Sequence, residues 1–515
     1  MQKTGDPVLD AHKGAERVYL LSHPLKPISI RDQLIRSCLL VDRLCTHRYI
    51  PVPDSTEKVC EVQTEGRPVL ILGVGVAGIN AALRLVIEHN VSVHLIDKGD
   101  GRLFKLQANA PSRWVDPCQY DWPAAHWDKA AFPITKAYCT MPLEWDADKA
   151  SLLAKRWRKI LLNNAGRNMI TITPYCKVNG GKVVGSVIKV TLESTKSTDQ
   201  KSRAPLLLTQ CLEGKEIREY QAVILATGFG VETTSLRKDI NNKDLLISPG
   251  KGFWQKDRLE KPMCGLKPPA GRKEGPVVCI AGSGDGALQD FIRVVTKKKS
   301  ARDVLEYVFA GIPEVLQEVE KEIREVEEFA IRHGAWNFSR EHDECLFIHT
   351  HEGHQAVVDK ILQGPEAQNI LIKLNQLLNQ SDSSEVHLVY PKQYFSCFYA
   401  LNRFIVLLLG ACISTRSPKK AYLHGEHVIG ECKPIQNSKD WPEYRVGIYD
   451  LAGALADDPA PVRTLAANVV VVRIGIRAEP AVGNLSFEDP QRPRHIFPHY
   501  ILHRRSAASA APSGL

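Results

Sequence analysis

The 515-residue sequence has little of what marks several protein classes. Its thirteen cysteines are scattered singly, and no C-x-x-C pair occurs, so neither a zinc knuckle nor a thioredoxin-type motif is written here. No apolar run approaches the roughly 18 residues of a membrane helix. The longest, Phe404 to Ile413, follows Asn402 and Arg403. The first ten residues carry Lys3, Asp6 and Asp10 and no apolar stretch, so no secretory signal is expected. Single reduced thiols then suggest a cytoplasmic chain without a membrane anchor. Excess charge is also small: 67 Lys and Arg against 58 Asp and Glu leave +9, too mild to call for nucleic acid as a partner. What remains is ordinary for a globular protein, with 44% hydrophobic and 24% charged residues. Disorder over most of the length and fibrous repeats are excluded, and the length suggests two to four domains.

The clearest positive signal starts at Val69-Leu70-Ile71-Leu72, a short apolar strand running into Gly73-Val74-Gly75-Val76-Ala77-Gly78. Helical spacing follows over Ile79, Ala82, Leu83 and Val86, and a second strand, Val91 to Ile96, ends at Asp97. Each part has a physical reason. Gly73 permits the tight turn, Gly75 lets a pyrophosphate approach the backbone, and Gly78 lets helix and strand pack closely. The helix N-terminus offers free N–H groups to phosphate, and Asp97 is placed to accept hydrogen bonds from a ribose. A turn needed only for packing does not account for the acid.

Further along, Ile170-Thr171-Ile172, Val183 to Leu192 and Leu206 to Cys211 read as antiparallel strands, separated by Asn179-Gly180-Gly181 and by the polar stretch Ser194 to Ser202. They lead into Ala222-Val223-Ile224-Leu225 and then Ala226-Thr227-Gly228, small residues that admit close approach of a cofactor. Residues 67–230 thus resemble, in order, the FAD domain of flavoproteins with two dinucleotide-binding domains. That superfamily includes the pyridine-nucleotide-disulfide oxidoreductases and the flavin-dependent monooxygenases. The resemblance implies FAD bound at Gly73, Gly75, Gly78, Asp97, Thr227 and Gly228, and a second, NAD(P)H-binding domain.

The sequence offers one. Val277 to Ala281 reads as a strand, and Gly282-Ser283-Gly284-Asp285-Gly286-Ala287 follows as a G-x-G-x-x-A turn. Gly282, Gly284 and Ala287 are its candidate cofactor residues. Asp285 puts a negative charge where phosphate should sit, or else it caps its own helix. The next strand is missing at the usual distance; Val386-His387-Leu388-Val389-Tyr390 is the candidate, after a helical insertion. The fold expected is α/β: a Rossmann-like FAD-binding domain with a β-meander plus a second Rossmann-like NAD(P)-binding domain carrying that insertion. The division expected is an N-terminal helical extension over 1–66, the first part of the FAD domain over 67–247 and a linker over 248–275. The NAD(P)-binding-like domain then covers 276–440, with the insertion at about 298–384. Residues 441–500 return to the FAD domain, and 501–515 form a flexible tail. The leading segment should contribute one amphipathic helix between Ile30 and Leu44. Gly447 to Asp450 fall where the superfamily has a Gly-Asp pair near the flavin ribityl chain, although Tyr449 replaces the glycine.

No catalytic residue is assigned. The pair of cysteines used by the disulfide reductases is absent, since Cys118 and Cys139 stand twenty-one residues apart. The segment Arg113 to Pro123, with His126 and Trp127, is either an aromatic pocket wall or a stiff loop packed on the domain. His333, His342, Cys345, His349, His351 and His354 fit no zinc spacing, and no metal is expected. Lys297 to Lys299 read as a solvated helix end, and Arg403 as an ion-pair partner or a phosphate contact. The function expected is an FAD-dependent oxidoreductase using NAD(P)H on a small-molecule substrate, with a monooxygenase-like reaction the first choice within that class. The alternative is a non-catalytic dinucleotide-binding sensor or scaffold whose helical insertion docks a protein partner.

Overall fold

The computed structural model describes residues 6–21, 29–52, 67–117, 119, 122–123, 141–143, 146–164, 169–196, 202–228, 230–234, 251–334, 340–383, 385–415, 420–436, 438–451 and 460–477. Cys118, Tyr120, Asp121, His126, Trp127, Cys139 and the expected tail lie outside them, as do the side chains of His333 and His342.

The first sheet is built on β1 (Val18–Leu20), β2 (Val69–Leu72), β3 (Val93–Asp97), β4 (Ile170–Pro174) and β8 (Val223–Leu225). These run parallel in the order β1-β8-β2-β3-β4, with Lys13–Ala15 antiparallel at the β1 edge. Because side chains alternate across a strand, the apolar run of β2 serves two cores. Val69 and Ile71 pack with α1 (Ile30–Thr46), α2 (Val76–His89) and α3 (Ala150–Asn164) on one face. Leu70 and Leu72 pack against a meander of β5 (Cys176–Val184), β6 (Val187–Ser194) and β7 (Lys215–Tyr220) on the other. Helix α1 starts at a capping box in which Ser29 and Asp32 satisfy each other's backbone N–H.

Four expectations change here. Ile170-Thr171-Ile172 belongs to β4, a parallel strand of the first sheet, and not to the antiparallel meander. The leading segment supplies a sheet strand, β1, as well as the helix, because Val18 and Leu20 bury against the meander-side core. Val183 to Leu192 is not one strand but the end of β5, the turn of the β5–β6 hairpin and most of β6. Leu206 to Leu208 is a 3-10 turn, and the third meander strand is the charged-looking Lys215–Tyr220. Its outward Ile217 is 68% exposed while Tyr220 is fully buried, so its polarity comes from one solvated face.

A short strand, β9 (Val231–Glu232), leads out of the first unit. The second unit repeats the same plan. It contains β10 (Val277–Ala281), α4 (Asp285–Thr296), a helical insertion, β11 (Glu385–Tyr390), α9 (Ala400–Ser414) and β12 (Ala421–Gly425). A meander follows, β13 (His427–Gln436), β14 (Glu443–Asp450) and β15 (Arg463–Ala467), and then β16 (Val469–Val472). The insertion comprises α5 (Ala301–Val308), α6 (Pro313–Gly334), α7 (Arg340–Gln363) and α8 (Ala367–Asn379). The parallel order β16-β10-β11-β12 matches β8-β2-β3-β4 strand for strand. The cores match as well: Val278 and Ile280 face the helices, Cys279 and Ala281 the meander.

This repetition moves a boundary. Residues 441–472 complete the second unit instead of returning to the first, because β16 is the inner neighbour of β10. The chain comes back toward the first unit only at β17 (Ile476–Arg477), antiparallel to β9. Tyr449 and Asp450 therefore lie in the second meander and not in the first unit. The Tyr449 ring covers Gly430 and Gly447, which explains glycine at both places. Both units thus carry a Rossmann-like parallel strand order, with helices on one face of the sheet and a meander on the other.

Candidate functional site

In an open parallel sheet, ligands bind beyond the carboxyl ends of the strands, and both glycine turns sit there. Gly73 has φ 110°, and a side chain on it would strike the carbonyl of Ala226. Its N–H donates to the Ile96 carbonyl at 2.8 Å, which fixes the turn across β3. Gly78 lies against the Gly73 carbonyl and the Ala226 methyl. Gly75 differs: a Cβ there would meet nothing within 4 Å. It is the N-cap of α2 and has no side chain to satisfy the first N–H groups. Thr227 and Gly228 are exposed at the same edge. These five sequence positions, with Asp97, are brought together at the carboxyl edge of the sheet.

Asp97 is partly committed to its own loop. One carboxylate oxygen, Oδ1, accepts from the N–H groups of Gly99 at 2.9 Å and Gly101 at 3.2 Å. Burial pushes its pKa up, and those two N–H groups pull it back. The other oxygen has no hydrogen-bond partner among the described residues.

The second turn repeats the first. Gly282 has φ 136° and lies against the Arg473 carbonyl, as Gly73 lies against Ala226. Its N–H donates to Val389 at 2.9 Å. Gly284 is an N-cap without a side-chain partner and faces open space, and Ala287 is fully buried in the third slot. Asp285 points elsewhere. Its carboxylate accepts from the N–H groups of Phe398 at 2.8 Å and Tyr399 at 3.1 Å, and from Asn402 Nδ2 at 2.9 Å. It caps the N-terminus of α9, neither facing a phosphate nor capping its own helix. Burial raises its pKa, and these donors oppose the rise.

Correspondence of the two turns shows a motif that sequence reading missed. Arg473-Ile474-Gly475 after β16 stands where Ala226-Thr227-Gly228 stands after β8, and Gly475 and Gly228 both have positive φ. Val93-His94-Leu95 likewise corresponds to Val386-His387-Leu388. These two three-residue matches were the available signals. The position of Asp97 is taken by Tyr390, which is buried and packs on Phe395.

A buried charge network joins the units. Asp290 of α4 is fully buried and receives Arg113 at 2.5 Å, Arg473 at 2.9 Å and Arg293 at 3.0 Å. Burial alone would raise the Asp290 pKa, but the three guanidinium groups outweigh it and hold the carboxyl below its usual range. Asp257 and Glu260 pair with Arg293, and Glu232 with Arg473. The Arg113 guanidinium stacks on Phe253 at 3.9 Å, and Gly286 lies against the same ring.

The described residues between Arg113 and Pro123 form a clasp onto the second unit. Asp116 pairs with Arg302 at 3.2 Å, and Gln119 donates to Asn402 at 2.8 Å. Trp122 donates to Glu320 at 3.1 Å and packs on Phe404, while Arg324 donates to the Pro123 carbonyl. The described residues of this segment thus pack between units rather than line a pocket.

The remaining candidates are structural. Arg403 pairs with Glu327 at 2.9 Å, and His354 meets the same oxygen at 2.8 Å. His349 packs on Phe329 and His351 on Phe395; among the described residues no group of His, Cys, Asp and Glu is arranged to hold a metal. Lys297 pairs with Asp382 at 2.8 Å, Lys298 lies over Tyr307 and Lys299 over Trp114. Among the described residues no helix is long and apolar enough to cross a membrane.

No family model matches the chain, and no curated protein matches it either. Solved structures do align with it at low identity. The bacillithiol disulfide reductase Bdr (YpdA) of Staphylococcus aureus is 11% identical, covering 80% of this chain and 76% of its own, with a TM-score of 0.34. DfoA of Erwinia amylovora, a cadaverine monooxygenase bound to FAD, is 10% identical over 81% and 79%, with a TM-score of 0.35. Ornithine hydroxylase (PvdA) of Pseudomonas aeruginosa is 11% identical over 81% and 84%, with a TM-score of 0.33. The parallel strand order of the two sheets stands independently of these alignments.

Proposed function

We propose that the chain is an FAD-dependent oxidoreductase that takes hydride from a nicotinamide dinucleotide. The observation that carries this reading is the repetition of one site design. Each unit presents an uncapped helix N-terminus behind a middle glycine, Gly75 or Gly284, that faces open space at the carboxyl edge of a parallel sheet. Backbone N–H groups and the helix dipole at such a place favour a pyrophosphate. In the first unit Gly73, Gly75 and Gly78 would hold the FAD pyrophosphate, Thr227 and Gly228 would admit the cofactor, and Asp97 would accept from its ribose. In the second, Gly282, Gly284 and Ala287 would hold the nicotinamide donor. Bound flavin supplies a two-electron acceptor for that hydride. The residues around Asp290 and the clasp from Arg113 to Pro123 fix one unit against the other, and thereby position the two cofactors.

No C-x-x-x-x-C pair is present to receive electrons from the flavin, so the acceptor is oxygen or a small organic molecule, and a monooxygenase-like reaction is the first choice. The rival reading, a non-catalytic sensor, drew on Asp285 and Tyr449. Asp285 faces α9 and Tyr449 lies in the second meander, so neither residue favours it. The test is the visible absorption spectrum of the purified protein before and after anaerobic NADH or NADPH. A flavin spectrum that bleaches is expected. Protein that holds no flavin even after FAD is added refutes the reading.

A further inference from the structure

The second unit has a cavity that the glycine turn does not account for. It measures about 470 Å³ and lies beyond the carboxyl ends of β11 and β12, on the same sheet edge as Gly282 and Gly284. One wall is the loop after β11, with Lys392 and Gln393; Glu426 follows β12; Glu344, His351 and Glu352 come from α7 of the helical insertion. A pocket of this size suits a nucleoside. A dinucleotide on a parallel sheet extends its adenosine ribose from the glycine turn toward the end of the neighbouring strand, here β11.

The chemistry of that strand end is unusual. Tyr390 stands where the first unit has Asp97, so no acid comes from the carboxyl end of the strand. Carboxylates come from elsewhere. Glu344 accepts from Lys392 Nζ at 2.6 Å and from the Tyr394 hydroxyl at 3.1 Å, and Glu426 accepts from Gln393 at 2.9 Å. The one ammonium in the lining is thus already paired, and three carboxylates surround it. Burial holds the His351 pKa near 4, so the ring adds no positive charge at neutral pH. A 2′-phosphate brought here would meet like charge on several sides, whereas a 2′-hydroxyl would find acceptors.

We propose that this cavity receives the adenosine ribose of the hydride donor, and that Glu344 of the helical insertion makes the donor NADH by excluding a 2′-phosphate. The inference rests on the oxidoreductase reading above. It gives the insertion a role: α7 walls the second dinucleotide site and sets its selectivity.

The test is calorimetric titration of flavin-loaded, full-length protein with AMP and with adenosine 2′,5′-bisphosphate, beside anaerobic bleaching by NADH and NADPH. AMP is expected to bind at least about tenfold more tightly than the bisphosphate. Glu344→Gln frees Lys392 and removes a charge, so it should narrow or invert that ratio, and Glu352→Gln should narrow it less. Equal or tighter binding of the bisphosphate to the wild-type protein overturns the proposal, as does failure of both nucleotides to bind. Flavin bleached preferentially by NADPH would overturn the proposal and leave the oxidoreductase standing. Flavin bleached by neither donor would remove the oxidoreductase reading itself.

Discussion

A methyl group on Gly73 would overlap the carbonyl oxygen of Ala226, whereas one on Gly75 would point into open space. The two glycines are therefore separable by mutation. Gly75→Ala should fold with a wild-type melting temperature and lose most of its flavin, because its side chain would project toward the pyrophosphate. Gly73→Ala should lose stability outright, by about 2 kcal/mol or more, since φ of 110° and the Ala226 carbonyl both oppose a side chain. Melting curves and the flavin-to-protein absorbance ratio check both; a Gly75→Ala protein with full flavin content would refute the first. At this scale the sequence was legible at Gly73 and Gly282, where a strand runs straight into a turn that demands glycine, and not at Gly475, which has positive φ as well. It was not legible at Asp285, because the groups that satisfy its carboxylate lie 113 to 117 residues away.

Helix α9 shows what one such distant contact does for an element. It opens at Tyr399 without a side-chain cap of its own, and Asp285 supplies the missing acceptor from the first turn of α4. Asp285→Ala would leave the Phe398 and Tyr399 N–H groups without that partner in a buried setting. The expected loss is roughly 2 kcal/mol in urea unfolding, with no gain in affinity for a nicotinamide dinucleotide. Tighter nucleotide binding in that variant would mean that the carboxylate faces phosphate after all. Element boundaries followed the sequence best where burial was two-sided, as in β2, β10 and β11. They failed for β7, whose sequence Lys-Glu-Ile-Arg-Glu-Tyr buries its last residue and solvates most of the rest.

Across the whole molecule, the buried histidines make stability depend on pH. Burial lowers the pKa of His94, His351 and His424 to about 4, and of His387 to about 3. Unfolded histidine titrates near 6.5, so between about pH 6.5 and 4 the unfolded chain binds protons that the folded one refuses. Their contribution is complete above pH 6.5 and is lost as pH falls toward 4. Asp290, held low by its three arginines, keeps its charge through that window. Thermal melts should drop by at least about 5 °C between pH 7 and 4.5. A melting temperature that stays flat over that range would show that these rings are protonated in the fold.

The sequence alone determined both glycine turns, the strands that feed them and the presence of a helical insertion, because each is set by contacts within a few residues and by the periods of strand and helix. Only the tertiary structure decided where the second unit ends. β16 joins β10 from nearly 190 residues away, and no local pattern distinguishes it from a strand of the first sheet. The same holds for the network around Asp290. Arg113, Arg293 and Arg473 read as ordinary charges until three remote segments bury them on one carboxylate, where only mutual pairing offsets the loss of water.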